Sequence, residues 1–470
     1  VVKQIVLTIK DYTNKQELVR EWLDDTSYHT LITEDTDLYL YDSCNPGGLL
    51  KYAKGNNCQT KDDCIRCVNS NPEKYILFKF RKNAFTQSEV ESGYDGLADA
   101  AVPTDNRGNA SGKINTRLHG NRVRATKQEL SILDILINCK RITTETILQL
   151  ESIFEVYKSE PEYTDKVYIS NKVIINNFNF ELWYFELIST IKSGQYEFTT
   201  IVDNCKLVKS YISKTIYANF VNSGVAGYYD RYPRIPFGRE TAYTKNNYEK
   251  FKLSFPFLER LAQLFKELLP IRYANQLAAC DKIDNKFIVP NTPFTTITVN
   301  KNFRTSAHYD PANMEQGFAN LCVLSKNDNY SGGHLVLPEI GYAIDIRPRD
   351  LLLINNMQGL HGNTEIVLHE PDAERVSVIA FLHEGMLSLG TYEYEQARKE
   401  FVELRKNNSN IKGWNGVGTN SFGNIIEKDG NYECAREWYE FLLTKDNGKD
   451  WLEQYHKPIL QYFTGTNYGI

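Results

Sequence analysis

No part of this 470-residue chain approaches the roughly eighteen consecutive apolar residues that a membrane-crossing helix needs. Its first residues, Val1-Val2-Lys3-Gln4-Ile5, lack the charged and then apolar layout of a secretory signal. These two absences predict a soluble, intracellular protein, nuclear or cytoplasmic. An excess of basic charge is also missing: 54 Lys and Arg stand against 59 Asp and Glu, a formal net charge of −5. Phosphate contact supplies most nucleic-acid affinity, so that balance argues against a chain that coats nucleic acid with its whole surface, though not against a local basic patch. The nine cysteines are odd in number and fit a reducing compartment better than a disulfide framework. A hydrophobic content of 41%, with 30 Tyr and 23 Phe, excludes a disordered chain, and the length predicts two or three folded units.

Cys64-Ile65-Arg66-Cys67 has the spacing of a zinc knuckle, with Cys58 and Cys44 upstream. The partner pair lacks the matching two-residue gap, and Asn56, Asn57, Lys61, Asp62 and Asp63 make the surroundings polar. Free thiols are the expected reading.

What the chain does have is Arg304-Thr305-Ser306-Ala307-His308-Tyr309-Asp310, followed at a distance by His361 and Arg375. His-x-Asp plus one remote His is the ligand set of the facial triad, which holds Fe(II) on one face and leaves three positions open for a chelating co-substrate and O2. A dicarboxylate that chelates the metal through a keto-acid end needs a cation at its far end, and the planar fork of Arg375 suits that task. His-x-Asp alone is common. His334, His369 and His383 compete with His361 for the third position, and Arg347 and Arg349 compete with Arg375. His334 and His383 are expected to be packed or exposed rather than metal-bound. Pro348 and Asp350 place the two rival arginines in a turn, where solvation is the ordinary state.

The surrounding pattern is one of short apolar runs bounded by Gly, Pro, Asn or Asp. Phe294 to Asn300 alternates and delivers His308 and Asp310 just past its end. Further strands are expected at Gly317 to Leu324, His334 to Leu337, Tyr342 to Ile346, Asp350 to Ile354 and Arg375 to Leu382. Such a series reads as a jelly roll, with His361 opening one late strand and Arg375 beginning the next. The fold class is therefore α+β: a double-stranded β-helix core with flanking helices and an N-terminal extension.

Several of these stretches together resemble the TET/JBP family of Fe(II)/2-oxoglutarate dioxygenases, which oxidise the 5-methyl group of thymine or 5-methylcytosine in nucleic acid. They are Thr298-Val299-Asn300-Lys301-Asn302-Phe303-Arg304-Thr305, the His308/Asp310 pair, Gly332-Gly333-His334-Leu335-Val336-Leu337-Pro338 and His361-Gly362-Asn363-Thr364. Upstream, Ser223 to Asp230 and Phe237 to Ala242 resemble the segment preceding the core in that family, and Asp105 to Gly112 is a more distant match. The likeness covers roughly residues 216 to 385. His334 departs from the acidic residue expected after the double glycine. The resemblance implies that His308, Asp310 and His361 bind iron and that Arg375 holds the distal carboxylate of 2-oxoglutarate, with O2 as co-substrate. It also implies methylated DNA as partner; a monomer is the expected state. Asn300, Arg304 and Arg239 are the polar candidates near the mouth, Asn300 and Arg239 for substrate and Arg304 as a second contact for the co-substrate. The same triad on a protein side-chain hydroxylase, or on a non-catalytic barrel that binds nucleic acid, is the alternative.

Along the chain, residues 1–125 are expected to form an N-terminal α/β extension, with strands at Lys3 to Ile9 and Tyr75 to Phe80 and a helix near Gln16 to Leu23. Glu89 to Asn121 reads as a Gly/Asn-rich loop or linker. Its later part carries Arg107, Lys113, Arg117, Arg122, Arg124 and Lys127, a basic stretch suited to phosphates or simply to solvent. Residues 126–215 are a helical insertion or linker, 216–388 the core and 389–470 a C-terminal helical segment. Ser254 to Leu269 is an amphipathic helix with Ser254 as cap, Pro256 in the first turn and Pro270 as stop. Helices are expected at Tyr394 to Lys406 and Glu433 to Leu443. Trp414 in the glycine-rich joint between them is expected to anchor that loop, with base stacking the second choice.

Overall fold

The computed structural model describes residues 1–8, 11–41, 61–104, 107–112, 127–159, 168–169, 174–175, 180–211, 221–231, 235, 237–310, 312–314, 317–355, 359–407 and 432–457. By compactness the chain divides into residues 1–102 with 222–470, and residues 103–221.

The strands of the structure are β1 (Lys3–Thr8), β2 (Thr30–Ile32), β3 (Thr36–Tyr41), β4 (Ile76–Arg81), β5 (Val102–Thr104), β6 (Tyr168–Ile169), β7 (Ile174–Ile175), β8 (Val221–Tyr229), β9 (Arg239–Glu240), β10 (Thr296–Lys301), β11 (Ala319–Leu324), β12 (Tyr330–Gly332), β13 (Leu335–Leu337), β14 (Tyr342–Ile344), β15 (Leu351–Ile354), β16 (Gly362–Asn363), β17 (Ile366–Leu368) and β18 (Val376–Phe381). In the first unit a major sheet runs β1-β3-β4-β15-β11-β18-β10-β8, with β9 on β8, and a minor sheet runs β16-β13-β14-β2. β12 and β17 form a separate antiparallel pair.

Alternation explains why the central strands are apolar throughout. In β15, Leu351 and Leu353 enter one core and Leu352 and Ile354 the other. β11 divides likewise, with Cys322 and Leu324 on one side and Leu321 and Val323 on the other. A strand buried on both faces reads as a continuous hydrophobic run because successive side chains point to opposite faces. The first core lies between the major sheet and the helices Gln87–Leu97 and Phe255–Leu268; the second joins the major sheet to Leu335, Leu337 and Ile344 of the minor sheet. Two sheets face each other, with helices outside one of them: the expected jelly-roll arrangement.

Several expectations need correcting. The loop read from Glu89 onward is, over Gln87–Leu97, a helix with a reciprocal capping box between Thr86 and Glu89. Its glycines serve close packing, not turns: a Cβ at Gly93 would lie 2.8 Å from Phe257, and one at Gly96 would lie 2.4 Å from the Ser254 nitrogen. Around Gln16 to Leu23 only Gln16–Leu18 is helical, a single 3-10 turn. Ser254 does not cap by its side chain; its hydroxyl donates to the Phe251 carbonyl at 2.7 Å, because a preceding helical turn already occupies the cap position. Pro270 ends that helix but also begins the next, Pro270–Cys280. Leu258, Leu261, Leu264 and Phe265 are buried, and Leu268 is partly so. No sequence pattern anticipates β2 and β3. With β1 and β4 they complete the sheets of the core: β3 pairs β4, β4 pairs β15, and β2 pairs β14.

The second unit contains the helices Lys127–Asn138, Thr144–Lys158, Phe180–Ser193 and Phe198–Tyr211 around their own core of Leu133, Leu136, Phe154, Tyr184 and Ile188. Asp134 pairs with Lys209. After the sheets come the helices Tyr392–Asn407 and Tyr432–Leu443. Trp414, Cys44, Cys58, Lys113, Arg117, Arg122 and Arg124 fall outside the described residues, as does the Cys64 side chain; Cys67 is partly buried.

Candidate metal centre and anion pocket

β10 ends at Lys301, and the chain turns through Asn302, whose φ is +47°. It then runs past Thr305 and Ser306 to His308, where it meets the segment before β16. His308 and His361 form one antiparallel bridge, each backbone N–H donating to the other's carbonyl at 2.8 and 3.1 Å. Gly362 makes that approach possible: a Cβ there would lie 2.9 Å from the Ser306 carbonyl. The two imidazoles have centroids 4.4 Å apart. Asp310 completes the group, with its carboxylate oxygens 3.5 Å from each Nε2, and one ligand atom from each of the three residues fits within 4.8 Å of the others.

The ring orientation is set from behind. His308 Nδ1 lies 2.7 Å from the Ser306 carbonyl and His361 Nδ1 2.9 Å from the Gly359 carbonyl. A carbonyl can only accept, so each Nδ1 carries a proton, and Nε2, the atom turned toward Asp310, is the one that a neutral ring would offer a metal. Burial, followed by the neighbouring His361, lowers the His308 pKa to about 4, so that ring is neutral at ordinary pH. His361 is buried too, which alone would lower its pKa, but its hydrogen bond to Asp310 and the charge of that carboxylate hold it above the usual value. Both rings are nearly inaccessible, whereas the Asp310 side chain is 40% exposed and marks the open side.

Arg375 immediately precedes β18. Its backbone is fixed to Asn302 by two bonds, Arg375 N–H to Asn302 Oδ1 at 2.7 Å and Asn302 N–H to the Arg375 carbonyl at 2.9 Å. The side chain is buried, and its Nε has no hydrogen-bond partner among the described residues. It lies against Gly333, where a Cβ would come within 2.9 Å of Nε. Burial draws its pKa below the ordinary guanidinium value, with Tyr330 the next influence. Among the described residues no carboxylate pairs with it. The rival arginines are not solvated as expected. Arg347 binds Asp345 at 2.5 Å and stacks on Tyr330, and Arg349 donates to the Phe85 carbonyl at 2.9 Å.

The other sequence candidates each have a protein partner, although Arg304 Nε, like that of Arg375, has none among the described residues. Arg304 donates to the Leu23 carbonyl at 2.8 Å and stacks on Trp22, which is 44% exposed. Asn300 receives the Ser223 hydroxyl across β10 and β8. Arg239 donates to the Asp230 carbonyl at 2.8 Å and lies over Tyr229. His334 sits 3.3 Å from the Tyr28 hydroxyl, His369 is exposed beside Ser331, and His383 bridges to the Asn313 backbone while its Nδ1 accepts from Gly385. None of the three joins the metal-ligand group. Sequence reasoning missed Glu339, buried behind the ligand segments and within hydrogen-bond reach of Tyr12, Tyr309 and Leu360. No local motif marks it, because its partners are remote in sequence.

Two sheets and a His-Asp-His group at their edge are the outline of a 2-oxoglutarate/Fe(II) oxygenase domain, and the profile described as the oxygenase domain of the 2OGFeDO superfamily, TET/JBP type, matches residues 224–384. Residues 224–384 are thus similar to the TET/JBP oxygenases. Over 169 residues the chain is 34% identical to the bifunctional helicase and thymine dioxygenase JBP2 of Leishmania infantum, covering 36% of this chain and 15% of that protein. Over 204 residues it is 30% identical to the thymine dioxygenase JBP1-B of Trypanosoma cruzi strain CL Brener, covering 42% of this chain and 24% of that protein. The chain thus corresponds to less than a quarter of either relative's length. Among solved structures, NgTET1 in complex with 5mC DNA overlaps 47% of this chain and 76% of that one at 15% identity, with a TM-score of 0.32, too low to bear on the argument.

Proposed function

We propose that this chain is an Fe(II)/2-oxoglutarate-dependent dioxygenase that hydroxylates the 5-methyl group of thymine or 5-methylcytosine in DNA. The observation that carries the reading is the His308–Asp310–His361 group inside the segment that matches the TET/JBP oxygenases. The donor set fits Fe(II): two imidazoles whose Nε2 atoms turn toward one carboxylate. Arg375 suits the far carboxylate of a dicarboxylate, since its guanidinium is buried and its Nε has no partner among the described residues. Fe(II) and 2-oxoglutarate would together supply the oxidant that places oxygen from O2 into a C–H bond.

The protein's part is positioning and exclusion. His308 and His361 hold their Nε2 atoms toward the metal, and Asp310 presents its carboxylate from the exposed side. Arg375 orients the co-substrate by its far end. Ala307, Leu360 and Val336 form an apolar cluster behind the ligand segments and keep water away from that face. A pyrimidine methyl group inside a duplex cannot reach such a site, so the base must leave the stack. The basic stretch Arg107 to Lys127 supplies cations for the flanking phosphates.

Nucleoside mass spectrometry tests the reading. DNA duplexes bearing 5-methylcytosine or thymine, matched RNA and a peptide library are incubated with protein, Fe(II) and 2-oxoglutarate. The expected product is a hydroxymethylated pyrimidine from DNA, absent with Asp310→Ala. Duplex affinity should fall steeply with salt, and Arg117→Glu/Arg122→Glu/Arg124→Glu should weaken every sequence alike without changing the base selected. Hydroxylated peptide with unmodified DNA, or a flat salt response, would remove DNA as the substrate and leave the iron site standing.

A further inference from the structure

We propose that Glu339 is a positioning residue for the metal centre, a carboxylate brace that clamps the two ligand-bearing segments together and ties both to Tyr12. The inference rests on the reading of His308, Asp310 and His361 as metal ligands. Its geometric basis is the single bridge between His308 and His361. In an antiparallel pair the two opposed residues exchange both hydrogen bonds, and at the next position the backbone N–H groups point outward. That next position pairs Tyr309 with Leu360. On the far side of the bridge Asn363 N–H donates to the Thr305 carbonyl at 2.9 Å, but on the Tyr309–Leu360 side Leu360 N–H needs a partner outside the two segments.

Glu339 provides it. The residue follows β13 and Pro338, is 3% exposed, and accepts Leu360 N–H at Oε2 (2.8 Å). At Oε1 it accepts the Tyr309 hydroxyl at 3.1 Å and the Tyr12 hydroxyl. Tyr309 lies between His308 and Asp310, and Leu360 adjoins His361, so one carboxylate reaches both sides of the ligand set. β13 pairs with β16 through Val336 and Gly362, which places Glu339 on the continuation of β13 beside the segment leading into His361. A buried carboxylate is tolerated only with its lone pairs satisfied, and three donors do that here. Its own backbone carbonyl accepts Thr13 N–H at 2.8 Å, a second tie to the same N-terminal stretch. Neighbouring contacts extend that tie, since Arg20 N–H donates to the Ala307 carbonyl at 2.8 Å and Ala307 N–H to the Glu21 carbonyl at 2.9 Å. Residues 12–21 lie outside the matched oxygenase segment, yet they support its metal centre.

A role confined to packing would make the carboxylate dispensable to the metal. A bracing role makes metal geometry depend on it. The test is titration of the full chain with Co(II), read by calorimetry and by the visible ligand-field spectrum, in wild type, Glu339→Gln, Tyr309→Phe and Tyr12→Phe, without any activity measurement. Gln keeps the shape but faces a donor toward either Leu360 N–H or the two phenols. The expected loss of Co(II) affinity is on the order of 10–100-fold for Glu339→Gln, as for other groups that orient metal ligands. The single phenol deletions should cost less, and the spectrum should change in each. If wild type takes up no Co(II), the metal reading fails and the brace fails with it. If wild type binds and folded Glu339→Gln binds within twofold with the same spectrum, the brace alone is overturned. Should Glu339→Gln not fold, Tyr12→Phe/Tyr309→Phe decides the matter in its place, because it removes only two hydroxyl groups: weakened Co(II) binding supports the brace, and unchanged affinity and spectrum overturn it.

Discussion

The two ends of the candidate site use burial in opposite ways. At the metal end every polar group already has a place: both Nδ1 atoms sit on backbone carbonyls, the two segments exchange a pair of backbone bonds, and a buried carboxylate spans them. At the other end Arg375 is equally buried, yet its guanidinium meets no carboxylate among the described residues and its Nε is left without a partner. The first arrangement is complete before any ligand arrives. The second holds a desolvated guanidinium with no carboxylate opposite it among the described residues. Preorganisation belongs where geometry must hold to an ångström or less, and stored electrostatic demand belongs where a co-substrate must bind and leave.

The comparison can be broken most directly at Asp310. Asp310→Ala removes the anionic ligand of the group, so turnover should vanish and metal affinity should collapse, while thermal unfolding shifts little because the side chain is well exposed. Residual turnover near wild type would end the metal reading. At the other end, Arg375→Met should raise the concentration of 2-oxoglutarate required, since a charge-assisted hydrogen bond to the co-substrate is worth about 1.5–3 kcal/mol. The same variant should be as stable as wild type, or more so, without co-substrate, because an unpaired buried charge has gone. In calorimetric scans 2-oxoglutarate should then raise the melting temperature of wild type only. A large stability loss in Arg375→Met would show that the guanidinium is satisfied internally.

Gly362→Ala probes the metal end from the backbone. Its new Cβ must displace the Ser306 carbonyl that holds His308, which should cost about 1–3 kcal/mol of stability by overpacking and weaken metal binding as well. Unfolding curves with and without metal would separate the two effects. The smallest change is expected for His369→Ala and His334→Gln. Neither side chain joins the ligand group, so metal affinity should stay within about twofold on titration, a shift under the ~1.4 kcal/mol that makes a factor of ten. A large loss in either would reassign the third ligand.

Legibility in the sequence follows the range of the contacts involved. The grouping of His308, Asp310 and His361 can be read because His-x-Asp is compact and the strands around it announce themselves as apolar runs. β15 and β11 are apolar on both faces because both faces are covered. Glycine misleads in the opposite sense: Gly93 and Gly96 suggest a loop where they permit a helix to touch Phe257 and Ser254. β2 is only three residues long, and its pairing with β14 joins segments about 300 residues apart, so no local pattern reveals it. Glu339 is the extreme case, since its bond to Tyr12 spans 327 positions of sequence. Asn300, Arg304 and Arg239 stand out for charge or polarity near the mouth, and the structure shows each already held by a protein partner.

A single titration addresses both ends together. Under argon, Fe(II) and 2-oxoglutarate are added to the protein and the visible charge-transfer absorption of an iron-bound 2-oxo acid is followed as 2-oxoglutarate is titrated. The band is expected in wild type and not in Asp310→Ala. In Arg375→Met it should appear only at roughly ten- to a hundredfold higher 2-oxoglutarate, the equivalent of about 1.5–3 kcal/mol. Absence of the band in wild type, or a band indifferent to both substitutions, would contradict the assignment of the two ends.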